Sequence, residues 1–497
     1  MPEIKIIDTT LRDAHQSLWA TRMSTAMMAP VAEKMDRAGF EAIDLMGGPQ
    51  FDTCVRYLRE NPWERLRQMR KRITRTKIQG IMRSKNLLTF DVQPDDINYL
   101  WLECLAKNGI RRVRTMEPML DVETIVDITT RINALGMESV IAPIFCLSPI
   151  HTDEFYANRM KEVLDRVHVD IVMLKDPGGL LKPDRIQTLI PALQKVIAGT
   201  KATLELHSHC MTGLAPLVYI EAVKLGITQI QTSIAPLANG NAQPATQTMV
   251  RNLRDLGYTI NVDDALIAEV GDHFQRVADN EGLPVGHPME YDEYHYQHQI
   301  PGGMMANLKS QLKDAGLTAR FPEVLAETAR IREELGWPIM VTPFSQMVGV
   351  QAVINVVQGE RYKTVPDEVK KYVLGYYGKL LAPVQPDVLD RIIANGSPGI
   401  PLTVQPKEPA LPALRRQYPN MDDEERMLRY LFKGSQVDDM LAAGEIRTEY
   451  FFDKPIVRLI RELAKRQRPG RIHIEKGTMR LDLGGAGTRR DATLPGS

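Results

Sequence analysis

The chain has 497 residues, more than one ordinary hydrophobic core serves, which predicts one large domain with smaller modules. Basic and acidic residues number 62 each, so the formal net charge is zero. This balance argues against nucleic-acid binding as the main task, because proteins with that task usually carry a basic excess. It leaves room for a local basic funnel that attracts an anionic substrate.

The sequence gives no sign of export or of membrane insertion. The segment MPEIKIIDTTLRD lacks the basic and apolar regions of a signal peptide, and no apolar run is long enough to cross a bilayer. The four cysteines form no C-x-x-C pair, which argues against a disulfide framework or a zinc ribbon. We therefore expect a cytoplasmic protein without a transmembrane segment.

The first half of the chain alternates short β-rich runs with amphipathic stretches such as Met28–Ala38 and Pro183–Ile197. Eight such units in about 250 residues match the size of a (β/α)₈ barrel. An open doubly wound sheet is the alternative, and the count of eight favours the barrel. The predicted strands are Ile4–Ile7, Ala42–Leu45, Lys77–Met82, Arg112–Arg114, Ser139–Ile144, Asp170–Leu174, Ala202–Leu206 and Gln229–Thr232.

The second half has a different pattern. Residues 257–400 are predicted to be mostly helical, and GSPGIPLTVQPKEPALP then predicts a linker. Beyond it, DDEERMLRYLF and KPIVRLIRELAKR predict helices, and RIHIEKGTMRLDL predicts a hairpin around Lys476-Gly477. The predicted divisions are a barrel over 1–256, a helical domain over 257–400, a linker with a small helical and hairpin segment over 401–485, and a disordered tail over 486–497.

Two histidines follow the seventh predicted strand in LELHSHCMTG. His207 and His209 are two residues apart, which places both imidazoles on one face of a strand. Active sites of such barrels lie at the C-terminal ends of the strands, where these imidazoles fall. With an acidic ligand they would suit zinc, cobalt or manganese. Two structural or surface histidines are the alternative, and the strand-end position favours the metal site.

The segment DTTLRDAHQSL follows the first predicted strand. Asp13 is a candidate oxygen ligand, and Arg12 and Gln16 are candidates for holding a substrate carboxylate and carbonyl. Taken alone, helix capping and surface charge explain these residues better. Arg83, at the end of the third predicted strand in IMRSKN, is a second candidate for binding an anion.

Lys175 lies at the end of the sixth predicted strand in IVMLKDPGGLLKP. Its amine is open to phosphate or carboxylate binding, Schiff-base formation, or carbamylation to a metal ligand. A bare ammonium would repel a metal beside two histidines, whereas a carbamate would supply an anionic oxygen. A lysine that merely snorkels to solvent is a further alternative. The residues alone leave these roles open.

Several long motifs, taken together and in order, resemble one family closely. They are DTTLRDAHQSLWATRM, ENPWERLR, LKDPGGLLKP, LHSHCMTG, IPGGMMANLKSQL and VTPFSQMVGVQAV. They look like the carboxyltransferase subunits of biotin enzymes, namely pyruvate carboxylase, the oxaloacetate decarboxylase α-subunit and the 5S subunit of methylmalonyl-CoA:pyruvate transcarboxylase. The resemblance runs from about residue 3 to about residue 400.

This resemblance implies a TIM barrel of the metal-dependent lyase type with a mainly helical conserved carboxylase domain packed on it. It also implies transfer of a carboxyl group between carboxybiotin and a small 2-oxo acid, with pyruvate and oxaloacetate as the default. The implied ligands of a divalent zinc, cobalt or manganese ion are Asp13, carbamylated Lys175, His207 and His209. The implied substrate contacts are Arg12, Gln16 and Arg83, and Asp52 matches an acidic residue near the site.

The expected partners follow from the same resemblance. No biotinyl-lysine motif of the A-M-K-M type occurs in the sequence, so we expect biotin to be supplied in trans by a carrier protein. Other expected partners are a biotin carboxylase or an acyl-CoA carboxyltransferase subunit. The family also implies a homodimer or larger oligomer.

The sequence departs from the family pattern where substrate and protons are handled. Asn241 stands at the catalytic position of a threonine that shuttles a proton to biotin, and an amide is a poor relay near neutrality. Further replacements are Met46, Phe90, Met116 and Glu117.

Three hypotheses follow from these departures. We favour an active carboxyltransferase with a changed donor or acceptor, because an intact ligand set has little use in a scaffold. The second hypothesis is a catalytically weak or inactive structural paralogue in a carboxylase complex. The third is a metal-dependent aldol-type lyase or Claisen synthase, against which the extra carboxylase domain argues.

Overall fold

The computed structural model describes residues 2–301, 305, 312–313, 316–453, 455–464, 472–476 and 479–483. Eight parallel strands form a closed barrel, in which each strand pairs with the next and the first pairs with the eighth. The strands are β1 Lys5–Asp8, β2 Ala42–Met46, β3 Lys77–Met82, β4 Arg112–Thr115, β5 Glu138–Ile141, β6 Ile171–Asp176, β7 Thr203–Ser208 and β8 Gln229–Thr232. The predicted (β/α)₈ barrel is therefore confirmed.

Each strand is followed by at least one helix before the next strand or the end of the barrel. These helices are α1 His15–Leu18, α2 Thr25–Arg37, α3 Gly48–Thr53, α4 Pro62–Arg70, α5 Asp95–Lys107, α6 Val122–Ala134, α7 Asp153–Leu164, α8 Pro183–Ile197, α9 Ala215–Lys224, α10 Thr246–Asp255 and α11 Asp264–Glu281. Helix α8 shows why they form, because it buries Ile186, Leu189, Ile190 and Leu193 at helical spacing. Strands β2 and β6 are buried at every position, as expected for parallel strands covered on both faces.

A second, helical region follows the barrel, in agreement with the predicted helical content. Its described helices are α12 His295–His298, α13 Phe321–Glu334, α14 Phe344–Gln358, α15 Asp367–Val373 and α16 Pro386–Asn395. Their core includes Phe344, Tyr362, Tyr372 and Ile392, and Met119 from the loop after β4 belongs to the same buried cluster. The loop after β4 therefore contributes Met119 to the apolar core of the helical region.

Residues 401–410, within the predicted linker, carry no helix or strand. They lead into α17 Leu411–Gln417, α18 Asp423–Leu431 and α19 Gln436–Ala442. Residues 1–449 form one compact unit that includes these helices. The domain boundaries at 256, 400 and 485 stay predictions.

A separate small unit spans residues 450–497. Its described part contains α20 Pro455–Ala464 and an antiparallel pair formed by β9 Ile472–Lys476 and β10 Met479–Leu483, where a hairpin is predicted. Gly477 and the predicted tail 486–497 lie outside the described residues, as does most of the IPGGMMANL motif.

Within the described part of the chain, every helix is too short or too polar to span a lipid bilayer.

Candidate active site

Four candidate metal ligands meet at the C-terminal end of the barrel. Asp13 lies in a π-helical turn directly after β1, and Lys175 lies near the end of β6. His207 belongs to the end of β7, and His209 follows that strand by one residue. All four are at most 7% exposed. Barrel closure brings them together, because the ends of β1, β6 and β7 meet at one face of the barrel.

The reactive atoms of these side chains point at one another. Asp13 Oδ2 lies 3.1 Å from His207 Nε2, 3.8 Å from His209 Nε2 and 3.7 Å from Lys175 Nζ. Lys175 Nζ lies 3.0 Å from His207 Nε2, and the two Nε2 atoms are 3.2 Å apart. Among the described residues, Asp13, His207 and His209 satisfy the geometric criteria for a candidate metal site.

The donor set fits a divalent cation. The Nδ1 atom of His209 lies 2.6 Å from the carbonyl oxygen of Asn241. A carbonyl only accepts, so Nδ1 carries the proton and Nε2 keeps a lone pair that faces Asp13. A carboxylate oxygen and imidazole lone pairs that face one another in one buried space are the donors of zinc-type sites.

Burial sets the protonation states at the site. Burial raises the pKa of Asp13, but the cations Arg12 and Lys175 outweigh it and hold that pKa well below its usual range. Burial lowers the pKa of Lys175 to about 7 and that of His209 to about 4. Burial, together with the charge of Lys175, also holds the pKa of His207 well below its usual range. The imidazoles are therefore neutral and the carboxyl is ionised, as metal binding requires.

Arg12 links the cluster to the barrel wall. Its terminal nitrogens lie 2.8 Å from Asp13 Oδ2 and 3.1 Å from Gln16 Oε1, and its Nε donates to Asp44 Oδ2 at 2.9 Å. Gln16 Oε1 also accepts from Gln50 Nε2 at 3.3 Å. The predicted pair Arg12 and Gln16 thus lies beside the candidate metal ligands.

Arg83 and Asp52 form a second group. Arg83 follows β3, is 8% exposed and donates to the carbonyl oxygen of Thr89 at 2.5 Å. Burial lowers the pKa of Arg83 to about 10, although the charge of Asp52 opposes this shift. Asp52 pairs with Arg56 at 2.6 Å, and burial raises its pKa.

The residues that depart from the family pattern occupy different environments. Asn241 contacts one of the candidate metal ligands through its carbonyl oxygen, which accepts from His209. Phe90 is 44% exposed, whereas Met46 is fully buried and Met116 is half-buried. Glu117 is buried, and its carboxyl accepts the backbone N–H of Asp121 at 2.6 Å.

Similar proteins share this fold and its order of regions. Residues 3–273 match the HMGL-like family, and residues 296–444 match the family described as the conserved carboxylase domain. A pyruvate carboxylase subunit of Methanocaldococcus jannaschii is 40% identical over 82% of this chain and 70% of its own length. The methylmalonyl-CoA carboxyltransferase 5S subunit of Propionibacterium freudenreichii is 33% identical over 84% of this chain and 81% of its own.

The chain belongs to the biotin-dependent carboxyltransferase family. This carboxyltransferase also resembles the carboxyl transferase domain of Rhizobium etli pyruvate carboxylase, solved with oxamate and biotin. That comparison has a TM-score of 0.80 and 26% identity, over 89% of this chain and 78% of the other. The resemblance inferred from the motifs is confirmed, and so is the prediction that the chain is an enzyme of carboxyl transfer.

Sequence reasoning missed several polar residues behind the carboxyltransferase site. Asp44, Arg114 and Gln231 are buried on β2, β4 and β8, and Gln243 Nε2 lies 3.0 Å from His209 Nε2. A signal was present for the first three, because AIDLM, RVRT and QIQT place polar residues inside short strands predicted to be buried. Gln243 lies in a loop, and its sequence context carries no comparable signal.

Proposed function

We propose that this carboxyltransferase moves a carboxyl group between carboxybiotin and pyruvate, with oxaloacetate as the carboxylated 2-oxo acid. The convergence of Asp13, Lys175, His207 and His209 at the barrel end carries this proposal. The name of the relative in Methanocaldococcus jannaschii supports pyruvate as the substrate.

Asp13, His207 and His209 are the proposed ligands of a divalent zinc, cobalt or manganese ion, and Lys175 completes the set as a carbamate. When bound, such an ion supplies a Lewis acid for the carbonyl oxygen of the substrate. Imidazole and carboxylate donors are compatible with all three metals, so the ligand types alone do not select one.

Carbamylation of Lys175 agrees with its surroundings. The amine is buried 3.0 Å from His207 Nε2, and burial lowers its pKa to about 7, so much of it is uncharged near neutrality. An uncharged amine attacks carbon dioxide, a C–N bond forms, and one proton is released. The product replaces a cation that would repel a metal with an anionic oxygen ligand.

Arg12, Gln16 and Arg83 are the proposed contacts to the substrate, and Asp52 is the proposed acidic residue near the site. A contact between Arg83 and the substrate is supported by its buried Nε, which has no hydrogen-bond acceptor among the described residues. A buried guanidinium N–H without an acceptor is costly and is relieved by an anionic ligand. Asn241 occupies the position proposed for proton relay, where its amide does not titrate.

We propose that biotin arrives on a separate carrier chain. The relatives in Methanocaldococcus jannaschii and Propionibacterium freudenreichii support this arrangement, since both are named as subunits of larger enzymes. A biotin carboxylase or acyl-CoA carboxyltransferase subunit and a homodimer or larger oligomer remain the expected partners. The cytoplasmic location also stays a prediction.

The reaction is tested with purified protein and free biotin. Decarboxylation is measured across oxaloacetate and other carboxylated 2-oxo acids, and we expect oxaloacetate to turn over fastest. A faster reaction with another acid would contradict pyruvate as the acceptor. Absence of turnover with any acid, in protein that holds its metal, would instead favour the inactive structural paralogue, which the replacement at Asn241 motivates.

The metal site is tested by elemental analysis of the Lys175→Ala variant. We expect its metal affinity to fall by about tenfold or more, and its metal content to fall as a result, because it lacks the proposed fourth ligand. Lys161→Ala is the matched control, since Lys161 is an exposed lysine of α7 that pairs with Asp165. Equal metal content in Lys175→Ala and the unaltered protein would contradict the proposed ligand set.

A further inference from the structure

The side chain of Gln231 lies directly behind His207. Its Oε1 is 2.6 Å from His207 Nδ1 and accepts from an Arg114 terminal nitrogen at 3.1 Å. Its Nε2 donates to Glu205 Oε1 at 2.5 Å. Glu205 in turn pairs with Arg112. All five of these residues are fully buried, so their hydrogen bonds are made with one another rather than with solvent.

These neighbours leave one orientation for the amide of Gln231. A guanidinium only donates hydrogen bonds, so the oxygen of the amide must face Arg114. The carboxylate of Glu205 is held by Arg112 and accepts, so the amide nitrogen must face Glu205. His207 therefore meets an oxygen, and its Nδ1 must carry the proton.

The consequence appears on the other side of the imidazole ring. With Nδ1 protonated, His207 Nε2 keeps its lone pair, and that atom lies 3.1 Å from Asp13 Oδ2. His209 is fixed in the same tautomer by a backbone carbonyl, which no side-chain substitution removes. The tautomer of His207 depends on a side chain instead and is open to mutation.

The same group of residues also reaches Asp13. Arg114 donates to Asp44 Oδ2 at 3.2 Å, and Arg12 donates to the same oxygen at 2.9 Å. Arg12 then pairs with Asp13 at 2.8 Å. A closed ring of buried contacts thus runs from His207 through the barrel interior and back to the carboxylate beside it.

We propose that Gln231 is a positioning residue that fixes the tautomer and orientation of His207 and thereby sets the affinity of the barrel for its metal. This inference rests on the proposed metal site. It adds that the Gln231 amide on β8, held between Arg114 and Glu205, supports the metal ligand His207. Groups that orient the imidazole of a ligand typically change metal affinity by about 10- to 100-fold.

The test compares cobalt(II) affinity and the cobalt absorption spectrum in three proteins. Gln231→Met removes the amide oxygen at similar volume, and we expect cobalt affinity to fall by about 10- to 100-fold with an altered spectrum. Gln229→Met is the matched control, because Gln229 is a buried glutamine of the same strand that donates to Thr203 Oγ1 at 2.8 Å. It should bind cobalt like the unaltered protein.

A double variant tests rescue. Gln231→Glu combined with Glu205→Gln exchanges the amide and the carboxylate. The new glutamate still accepts from His207 and Arg114, and the new glutamine can donate to it. We expect it to restore cobalt affinity to within a few-fold of the unaltered protein. Equal affinity in Gln231→Met and the unaltered protein, equal losses in Gln231→Met and Gln229→Met, or failure of the exchange to restore binding would overturn the proposal.

A measurement on the unaltered protein decides the matter if Gln231→Met does not fold. Nitrogen-15 NMR of the histidines in metal-free protein reports the tautomer of each ring. A proton on Nδ1 of His207 supports the proposal, and a proton on Nε2 overturns it. Because this readout needs no metal, it fails or succeeds independently of the proposed metal site.

Discussion

Arg114 is a buried charge that its neighbours compensate. Arg114 is fully buried and contacts both Asp44 and Gln231. Removing one partner of such a pair typically costs about 3–5 kcal/mol, because a buried charge is left uncompensated. Glu117 is a contrasting case, since it forms no salt bridge with any described residue, and burial raises its pKa to about 8.

The raised pKa of Glu117 predicts that the free energy of unfolding depends on pH. Its pKa in the folded state is about 8, above the ordinary value of 4.5. Between pH 4.5 and about pH 8, the carboxyl is therefore protonated in the folded state and ionised in the unfolded state. Stability is therefore lost as the pH rises from 4.5 to about 8, by about 1.4 kcal/mol per unit. Glu117→Gln keeps an acceptor for the Asp121 N–H without the ionisation, so its melting temperature should exceed that of the unaltered protein increasingly from pH 5 to pH 8.

The control for this prediction is Glu123→Gln. Glu123 is an exposed residue of α6 that pairs with Arg166, and its replacement should give no growing advantage at higher pH. A constant difference between Glu117→Gln and the unaltered protein across this range would contradict a raised pKa at Glu117.

At the scale of elements, the loop after β6 is shaped by its contact with the loop after β7. Asp176 accepts the backbone N–H groups of Leu180 and Leu181, which folds the loop back on itself. Gly179 has a φ of +64°, and a Cβ built on it would lie 2.6 Å from the carbonyl oxygen of His209. The glycine therefore serves both the turn and the close approach to a candidate ligand.

Gly179→Ala should reduce both stability and metal content. A residue with a Cβ pays about 1–2 kcal/mol in the left-handed region, and here the methyl group must also displace His209. Gly136→Ala is the matched control, because Gly136 has a φ of +67° with open space around its Cβ position. We expect both variants to melt at lower temperature and only Gly179→Ala to lose metal, as measured by elemental analysis. Equal metal content in the two would count against this account.

Helix α18 is anchored to the barrel by one glutamate. Glu424 accepts from an Arg67 terminal nitrogen at 2.7 Å and from Asn108 Nδ2 at 2.9 Å, and it pairs with Lys107 at 3.0 Å. The indole of Trp63 donates to its carbonyl oxygen at 3.3 Å. These contacts hold α18 against α4 and α5.

Glu424→Ala should therefore loosen α18 selectively. Loss of the buried acceptor should cost about 1–3 kcal/mol of local stability, because Arg67, Asn108 and Lys107 lose their shared partner. Hydrogen exchange of the α18 amides should accelerate while the barrel strands stay protected. Glu425→Ala, which removes only a contact to Arg429 within the same helix, should have a smaller effect. Equal exchange in both variants would contradict the anchoring role.

At the scale of the whole molecule, the loop after β4 contributes to the core of the helical region. Met119 follows β4 and is buried in the same cluster as Phe344 and Tyr372 of α14 and α15. Barrel and helical region should therefore unfold together rather than in sequence.

Metal removal is expected to destabilise both regions. A ligand at one hundred times its dissociation constant stabilises the folded state by about 2.7 kcal/mol. Treatment with a chelator should lower the melting temperature, and hydrogen exchange should accelerate in α14 as well as in the barrel strands. Restored metal should reverse both changes. Acceleration confined to the barrel would show that the two regions unfold independently.

The sequence by itself determined the barrel and the order of its chemistry-bearing residues. Strand bounds agree closely, and those of β3 and β8 are identical to the prediction, because short β-rich runs between amphipathic helical stretches are a local signal. His207 and His209 were identified by their position at a strand end. Their positions after predicted strands also made Asp13 and Lys175 candidates, and the family resemblance combined the four residues into one ligand set.

Only the tertiary structure decided which groups face each other and which protons they hold. Gln231 and Arg114 are 117 residues apart in the chain, yet barrel closure places them in contact. The low pKa of Lys175 depends on its burial in the closed barrel, which a local sequence pattern does not predict. The donor and acceptor partners of His207 come from other strands, so its tautomer is a property of the closed barrel rather than of any one segment.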